Sequence, residues 1–100
     1  MYHTYVLYSI EFARFYIGQT NNLGQRISKH NNREVRSTKA YVPWELVWHM
    51  SFETRSESMC RERKLKNLKS QKRLIQFMKK QGSISRESSS EFLEKTREFT

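Results

Sequence analysis

From Trp44 to Glu53 the chain alternates: Trp44, Leu46, Trp48, Met50 and Phe52 hold one parity and Glu45, Val47, His49, Ser51 and Glu53 the other. Residues two apart share a face of a β-strand, so this run predicts a strand with one strongly apolar side. A face of that kind has to be covered by another layer. Two further strands are expected nearby in sequence. Tyr2 to Ser9 is rich in β-branched and aromatic residues, and Phe15 to Gln19 follows after a short connection through Glu11, Ala13 and Arg14. A separation this short favours an antiparallel hairpin. The bulk of Trp44, Trp48 and Phe52 is assigned to the core rather than to a base-stacking platform.

The remaining segments carry helical signals. Thr20, Asn21 and Asn22 offer N-caps to LGQRISKHN, in which Leu23, Ile27 and His30 fall at i, i+4 and i+7. Gly24 inside it costs about 1 kcal/mol relative to alanine, so this helix leans on tertiary packing. Asn31 to Val42 is polar and basic and reads as a loop closed by Pro43. Thr54 or Ser56 can cap a helix running to about Leu68. Ser70 can cap another through Lys80, with Leu74, Phe77 and Met78 as its buried face and Gly82 at its C′ position. The expected order is β-β-α-β-α-α, an α+β fold in which a three-stranded antiparallel sheet is flanked by helices. The expected domain is 1–81; residues 82–100 are polar, with a short helix allowed from Ser90, and read mainly as a mobile tail.

Composition narrows the function classes. One hundred residues suffice for one small domain and leave no room for a two-domain enzyme or a dinucleotide-binding fold. The formal net charge is +9, which points to a polyanionic partner, either nucleic acid or an anionic membrane. That charge is concentrated: Arg61 to Lys80 has nine basic residues and the single acid Glu62, a net of +8. No apolar run approaches the roughly 20 residues needed to span a bilayer. The amino terminus lacks the basic and continuous apolar regions of a signal peptide, so a cytoplasmic domain is expected. The lone Cys60 excludes an internal disulfide and a multi-thiolate zinc site. There is no aspartate, which excludes a Ser/His/Asp triad. No glycine-rich phosphate loop is present, and the clustered carboxylates of a two-metal nuclease are missing.

What survives is an arrangement of polar groups: Tyr5 and Tyr16 on neighbouring strands, Arg26 and His30 four apart on the following helix, and Glu62 within the basic helix. With Tyr16-Ile17-Gly18 as a second signature and His3-Thr4-Tyr5 in the place of the first, eleven residues earlier, the chain resembles the GIY-YIG nucleases. Arg26 and His30 follow Tyr16 by ten and fourteen, as that family's pattern requires, and the run containing Glu62 resembles its helix with an essential glutamate. The resemblance spans Tyr2 to about Lys80 and is nearest the compact bacterial branch. The first signature's Gly and Ile are replaced by His3 and Thr4, and Gln19 stands where some members place a lysine.

The resemblance implies a Mg2+-dependent endonuclease acting on DNA, with Mn2+ an alternative metal and RNA not excluded as substrate. Catalytic roles would fall to Tyr5, Tyr16, Arg26, His30 and Glu62. Glu62 would hold one Mg2+, an ion that keeps most of its waters, and Arg26 would fork onto phosphate oxygens. Tyr16 resembles the family's candidate general base. A phenol titrates near pH 10, about, so neighbouring cations are needed for that role, while Tyr5 or His30 would orient the water or relay its proton. Sequence does not choose among Tyr5, Tyr16 and His30 as the group that takes the proton. Gly18 is read as structural, a point of close backbone approach.

Simpler readings stand beside these. Strand tyrosines are ordinary packing residues, Arg26 can be a solvated charge, and Glu62 can pair with Lys66 at i+4. Arg36, Lys39, Arg61, Arg63, Lys64, Lys66, Lys69, Lys72 and Arg73 can be a solvated face. Their density favours a surface that tracks phosphates without reading sequence. No base-reading element is evident, so low sequence specificity or a preference for a DNA structure follows. The rival readings are a catalytically weak nucleic-acid-binding module and a nuclease subunit that needs a protein partner for targeting. DNA repair, recombination and defence against mobile elements are all compatible.

Overall fold

Thr4 to Ser9 are buried without interruption, and a strand with no solvent face needs a partner on each edge and a layer on each side. In the computed structural model, which describes residues 1–81, that strand is β1 (Tyr2–Ser9). It lies at the centre of a three-stranded antiparallel sheet of order β2-β1-β3, with β2 (Arg14–Thr20) and β3 (Glu45–Phe52) at its edges. α1 (Leu23–Asn31) joins β2 to β3, and α2 (Arg55–Lys66) and α3 (Gln71–Lys80) follow β3. The β-β-α-β-α-α order and the α+β class agree with the sequence reading. One short helical turn, Lys39–Tyr41, lies within the segment expected to be loop. The cap by Gly82, the helix from Ser90 and the polar tail fall outside the described residues.

The helix starts sit where short polar side chains accept the first free N–H groups. Asn22 accepts from Gln25, Thr54 from Glu57 and Ser70 from Arg73. Thr54 O–H also donates to the Glu57 carboxylate at 2.8 Å. α1 stops through Arg33 in the left-handed region at φ 63°. The Arg33 and Glu34 N–H groups return to the carbonyls of His30 and Lys29, a Schellman closure with arginine where glycine is usual.

The two faces of the sheet bury different sets of residues. Val6 and Tyr8 of β1 pack with Val47, Trp48, Leu65, Leu74, Ile75 and Met78, so α2 and α3 cover this face. Tyr5 and Leu7 pack with Trp44, Leu23 and Ile27, so α1 covers the other. The single apolar face expected for Trp44 to Phe52 is corrected here. A register shift opposite Val6 and Leu7 pairs Val6 with Trp48 but Leu7 with Leu46. Trp44 and Leu46 therefore join the α1 side, whereas Val47, Trp48 and Met50 join the α2–α3 side. A bulge of this kind puts one extra residue into the strand and reverses the alternation beyond it. Trp44 and Trp48 are both core residues, as expected. On α3, Ile75 is fully buried while Phe77 is half-buried against Trp48. None of the described helices is long and apolar enough to cross a membrane.

Candidate active site

Tyr5 and Gly18 are directly opposed across the β1–β2 pairing. A Cβ on Gly18 would lie 2.6 Å from the Tyr5 hydroxyl oxygen and 2.7 Å from Cζ. Glycine is therefore required here because the Tyr5 ring lies across the strand at that point. Tyr16, two residues earlier on the same face of β2, has its ring 6.3 Å from that of Tyr5. The phase of α1, set by the Asn22 cap, turns Arg26 and His30 toward both phenols.

His30 is completely buried, with its ring edgewise to Tyr5 at 5.9 Å and to Tyr16 at 4.9 Å. Its Nε2 is 2.9 Å from the Tyr5 hydroxyl and its Nδ1 is 2.8 Å from Thr38 Oγ1. The buried Thr38 hydroxyl donates to the Val35 carbonyl at 3.4 Å. Its oxygen must then accept from Nδ1–H, which leaves Nε2 to accept the Tyr5 O–H. Burial first, and the Arg26 charge second, push the imidazole down to about 4, so it is neutral near pH 7. Burial likewise raises the Tyr5 phenol to about 12, with the Arg26 hydrogen bond opposing and the charges of Tyr16 and Glu62 adding to it. Tyr5 is thus a fixed neutral donor. The Tyr5 phenol first, and Tyr16 with it, hold the Arg26 guanidinium more firmly in the charged form.

Thr38 is positioned by Trp44 and Asn31. Trp44 Nε1–H donates to the Thr38 carbonyl at 3.0 Å. The Asn31 amide grips the Trp44 backbone at both ends, accepting from its N–H at 2.7 Å and donating to its carbonyl at 3.0 Å. The loop expected to be merely polar therefore closes over His30 and fixes its tautomer.

α2 is fastened at Ser58, a fully buried residue. Thr4 Oγ1 donates to the Ser58 carbonyl at 2.7 Å, and the Ser58 hydroxyl lies 2.9 Å from the Arg55 carbonyl and 3.4 Å from Gln19 Oε1. Glu62 stands one helical turn further along, near enough for its charge to act on Tyr5. Its carboxylate also pairs with Lys66 at 3.3 Å, so the simpler i+4 reading holds alongside the proximity to the phenols.

The basic positions lie on the loop before β3, where Arg36 and Lys39 are exposed, and on α2, α3 and their junction, where Arg63, Lys64, Lys66, Lys69, Lys72 and Arg73 are exposed. Arg61 is half-buried with its guanidinium 5.4 Å above the Phe77 ring. Lys66 and Lys69 share a groove with Arg14 beside the outer edge of β2. Arg55 was missed by sequence reasoning. It lines a cleft of about 410 Å3 with Arg26, Tyr2, Gln19, Thr20 and Asn21. The available signal was its place seven residues before Glu62, which sets both on one face of α2. Among the described residues no three His, Cys, Asp or Glu side chains are grouped to hold a metal, so Glu62 is the carboxylate this arrangement offers.

The family model for the GIY-YIG catalytic domain matches residues 1–76. A UPF0213 protein of Staphylococcus saprophyticus, SSP2268, is 38% identical over 60 residues, covering 59% of this chain and 73% of that protein. The UPF0213 protein YazA of Bacillus subtilis is 30% identical over 82 residues, covering 81% and 83% respectively. A UPF0213 protein of Bacillus pumilus is 34% identical over 67 residues, 64% of this chain and 68% of that protein. No solved structure matches the chain significantly. With its two tyrosines on paired strands and the Arg26–His30 face laid over them, the chain belongs to the GIY-YIG family, a nuclease superfamily, and its relatives are UPF0213 proteins.

Proposed function

We propose that the chain is a Mg2+-dependent endonuclease that hydrolyses DNA phosphodiester bonds with low sequence specificity or a preference for DNA structure. The observation that carries this reading is Arg26, held in its charged form by the Tyr5 and Tyr16 phenols, while Glu62 lies within electrostatic reach of Tyr5. A cation suited to phosphate, a phenol and a carboxylate are the groups that phosphodiester hydrolysis asks for, which supports the reading.

The roles follow from burial and hydrogen bonding. His30 is inaccessible and its nitrogens are both engaged, so it is a positioning residue that fixes Tyr5. Tyr5 donates to His30 and stays neutral. Tyr16 is half-buried on the edge strand and is the general base of this proposal; Arg26 is the countercharge a phenolate there would need. Arg26 also binds the phosphate. Glu62 would hold the metal, and a lone carboxylate fits Mg2+, which retains its waters and dehydrates reluctantly. When bound, the ion supplies charge stabilisation on the phosphate and the leaving oxygen. Releasing Glu62 from Lys66 costs about 1 kcal/mol or less, because the Lys66 partner is solvent-exposed.

The test is cleavage of supercoiled plasmid and of flap, fork and junction substrates in Mg2+ and in EDTA, at low salt. Metal-dependent nicking should disappear in Glu62→Ala and Arg26→Ala, and Tyr16→Phe should lower kcat by about 100- to 10,000-fold. Retained DNA binding without cleavage of any substrate would replace this reading with the binding module or the partner-dependent subunit.

A further inference from the structure

We propose that Arg55, together with Gln19 and Asn21, forms a subsite for a second phosphate on the strand whose scissile phosphate Arg26 binds. The proposal rests on the nuclease reading above and extends it to substrate positioning. Arg26 and Arg55 line one cleft from different helices, and no acidic side chain lines it with them. Its volume of about 410 Å3 equals roughly a dozen waters, more than a single phosphate fills.

The backbone beneath the cleft is anchored, while Arg55 and Asn21 extend their side chains into solvent. The Ser58 hydroxyl lies against both the Arg55 carbonyl and the Gln19 side-chain oxygen, and Ser58 itself is wholly buried and tied to β1 through Thr4. Asn22, next to Asn21, is held as the cap of α1, which fixes the approach of Asn21 to the cleft. Two guanidinium groups with carboxamides beside them suit a chain of regularly spaced anions rather than one. A nucleic-acid strand bound at Arg26 presents its next phosphate one nucleotide away, which makes the same strand the occupant of the Arg55 position.

The experiment uses the full chain without metal, following arginine Nε–H signals by NMR. The probes are inorganic phosphate, thymidine 5′-monophosphate and the 5′-phosphorylated thymidine dinucleotide. The dinucleotide should shift both Arg26 and Arg55 and bind about tenfold tighter than the mononucleotide. Arg55→Ala should lose most of that gain, and Arg55→Lys should keep part of it. An undiminished gain in Arg55→Ala, no binding of the dinucleotide, or inorganic phosphate filling the Arg55 position as well as the dinucleotide would each overturn the proposal. Failure of the nuclease reading is seen separately, as absent metal-dependent nicking, and leaves these titrations unaffected.

Discussion

Gly18→Ala adds one methyl group where the structure has no room for it. The new Cβ would meet the Tyr5 hydroxyl oxygen at 2.6 Å and Cζ at 2.7 Å, well inside van der Waals contact. Tyr5 cannot simply swing away: it is 1% exposed and its hydroxyl is bound to His30 at 2.9 Å. Overpacking a closed site costs about 1–3 kcal/mol. The lower unfolded-state entropy of alanine offsets about 0.5–1 kcal/mol of that. At the middle of both ranges the net loss is about 1 kcal/mol, which lowers the Tm of a domain this size by about 4–8 °C. Urea and thermal unfolding measure it directly. The decisive arm is the same change in a Tyr5→Leu background, where the ring no longer lies over residue 18 and Gly18→Ala should be close to neutral. Equal costs in both backgrounds, or a neutral single variant, would show that the glycine is not there for the tyrosine.

The His30 imidazole sits at about 4 in the fold against about 6.5 unfolded. The unfolded chain therefore binds its proton first, and stability falls as pH drops from about 6.5 to 4 by up to about 3 kcal/mol; His30→Gln should flatten that part of the urea-unfolding profile, and an unchanged profile would place the titration elsewhere. Glu62→Gln breaks an i+4 pair whose lysine is exposed, so unfolding should move by less than about 1 kcal/mol while metal-dependent cleavage is lost; a large loss of stability would make Glu62 structural. Thr4→Val keeps the shape of a buried side chain but removes its bond to the Ser58 carbonyl. It should cost about 1 kcal/mol in unfolding and lower cleavage further than that loss explains, because the seat of α2 shifts.

Much of the fold was legible because its signals were local. Asn22, Thr54 and Ser70, each among the caps expected, begin the three helices, since a short oxygen-bearing side chain is the cheapest partner for a free helical N–H. The faces of β3 were not legible. Leu46-Val47-Trp48 is a continuous apolar run, and over those residues either parity reads equally well; the pairing with β1 decides where the bulge falls. Spacing alone paired Tyr5 with Tyr16 on the hairpin and Arg26 with His30 on one helix turn; that the two pairs meet was implied by the family resemblance. Thr38 could not, because a loop has no period and its contact with His30 depends on Trp44 and Asn31 drawing that loop inward. The spacing of Arg55 from Glu62 sets both on one face of α2, but its place beside Arg26 shows only once α2 is seated on Thr4 and Gln19.

That seating shows how so small a sheet can hold a site between two helices. Thr4 and Tyr5 are consecutive, so they point to opposite faces of β1. Thr4 binds α2 through the Ser58 carbonyl at 2.7 Å, and Tyr5 binds α1 through His30 at 2.9 Å. In helical geometry the Ser58 carbonyl also receives the Glu62 N–H, so Thr4 grips α2 at the turn that carries the carboxylate. Arg26 lies one turn before His30, on the face of α1 that Tyr5 holds. The separation of Arg26 from Glu62 is therefore set by two neighbouring side chains of one fully buried strand, and not by the lengths of the loops that join the helices. Sequence changes in those loops can alter what approaches the site, whereas changes at Thr4 or Tyr5 alter the site itself.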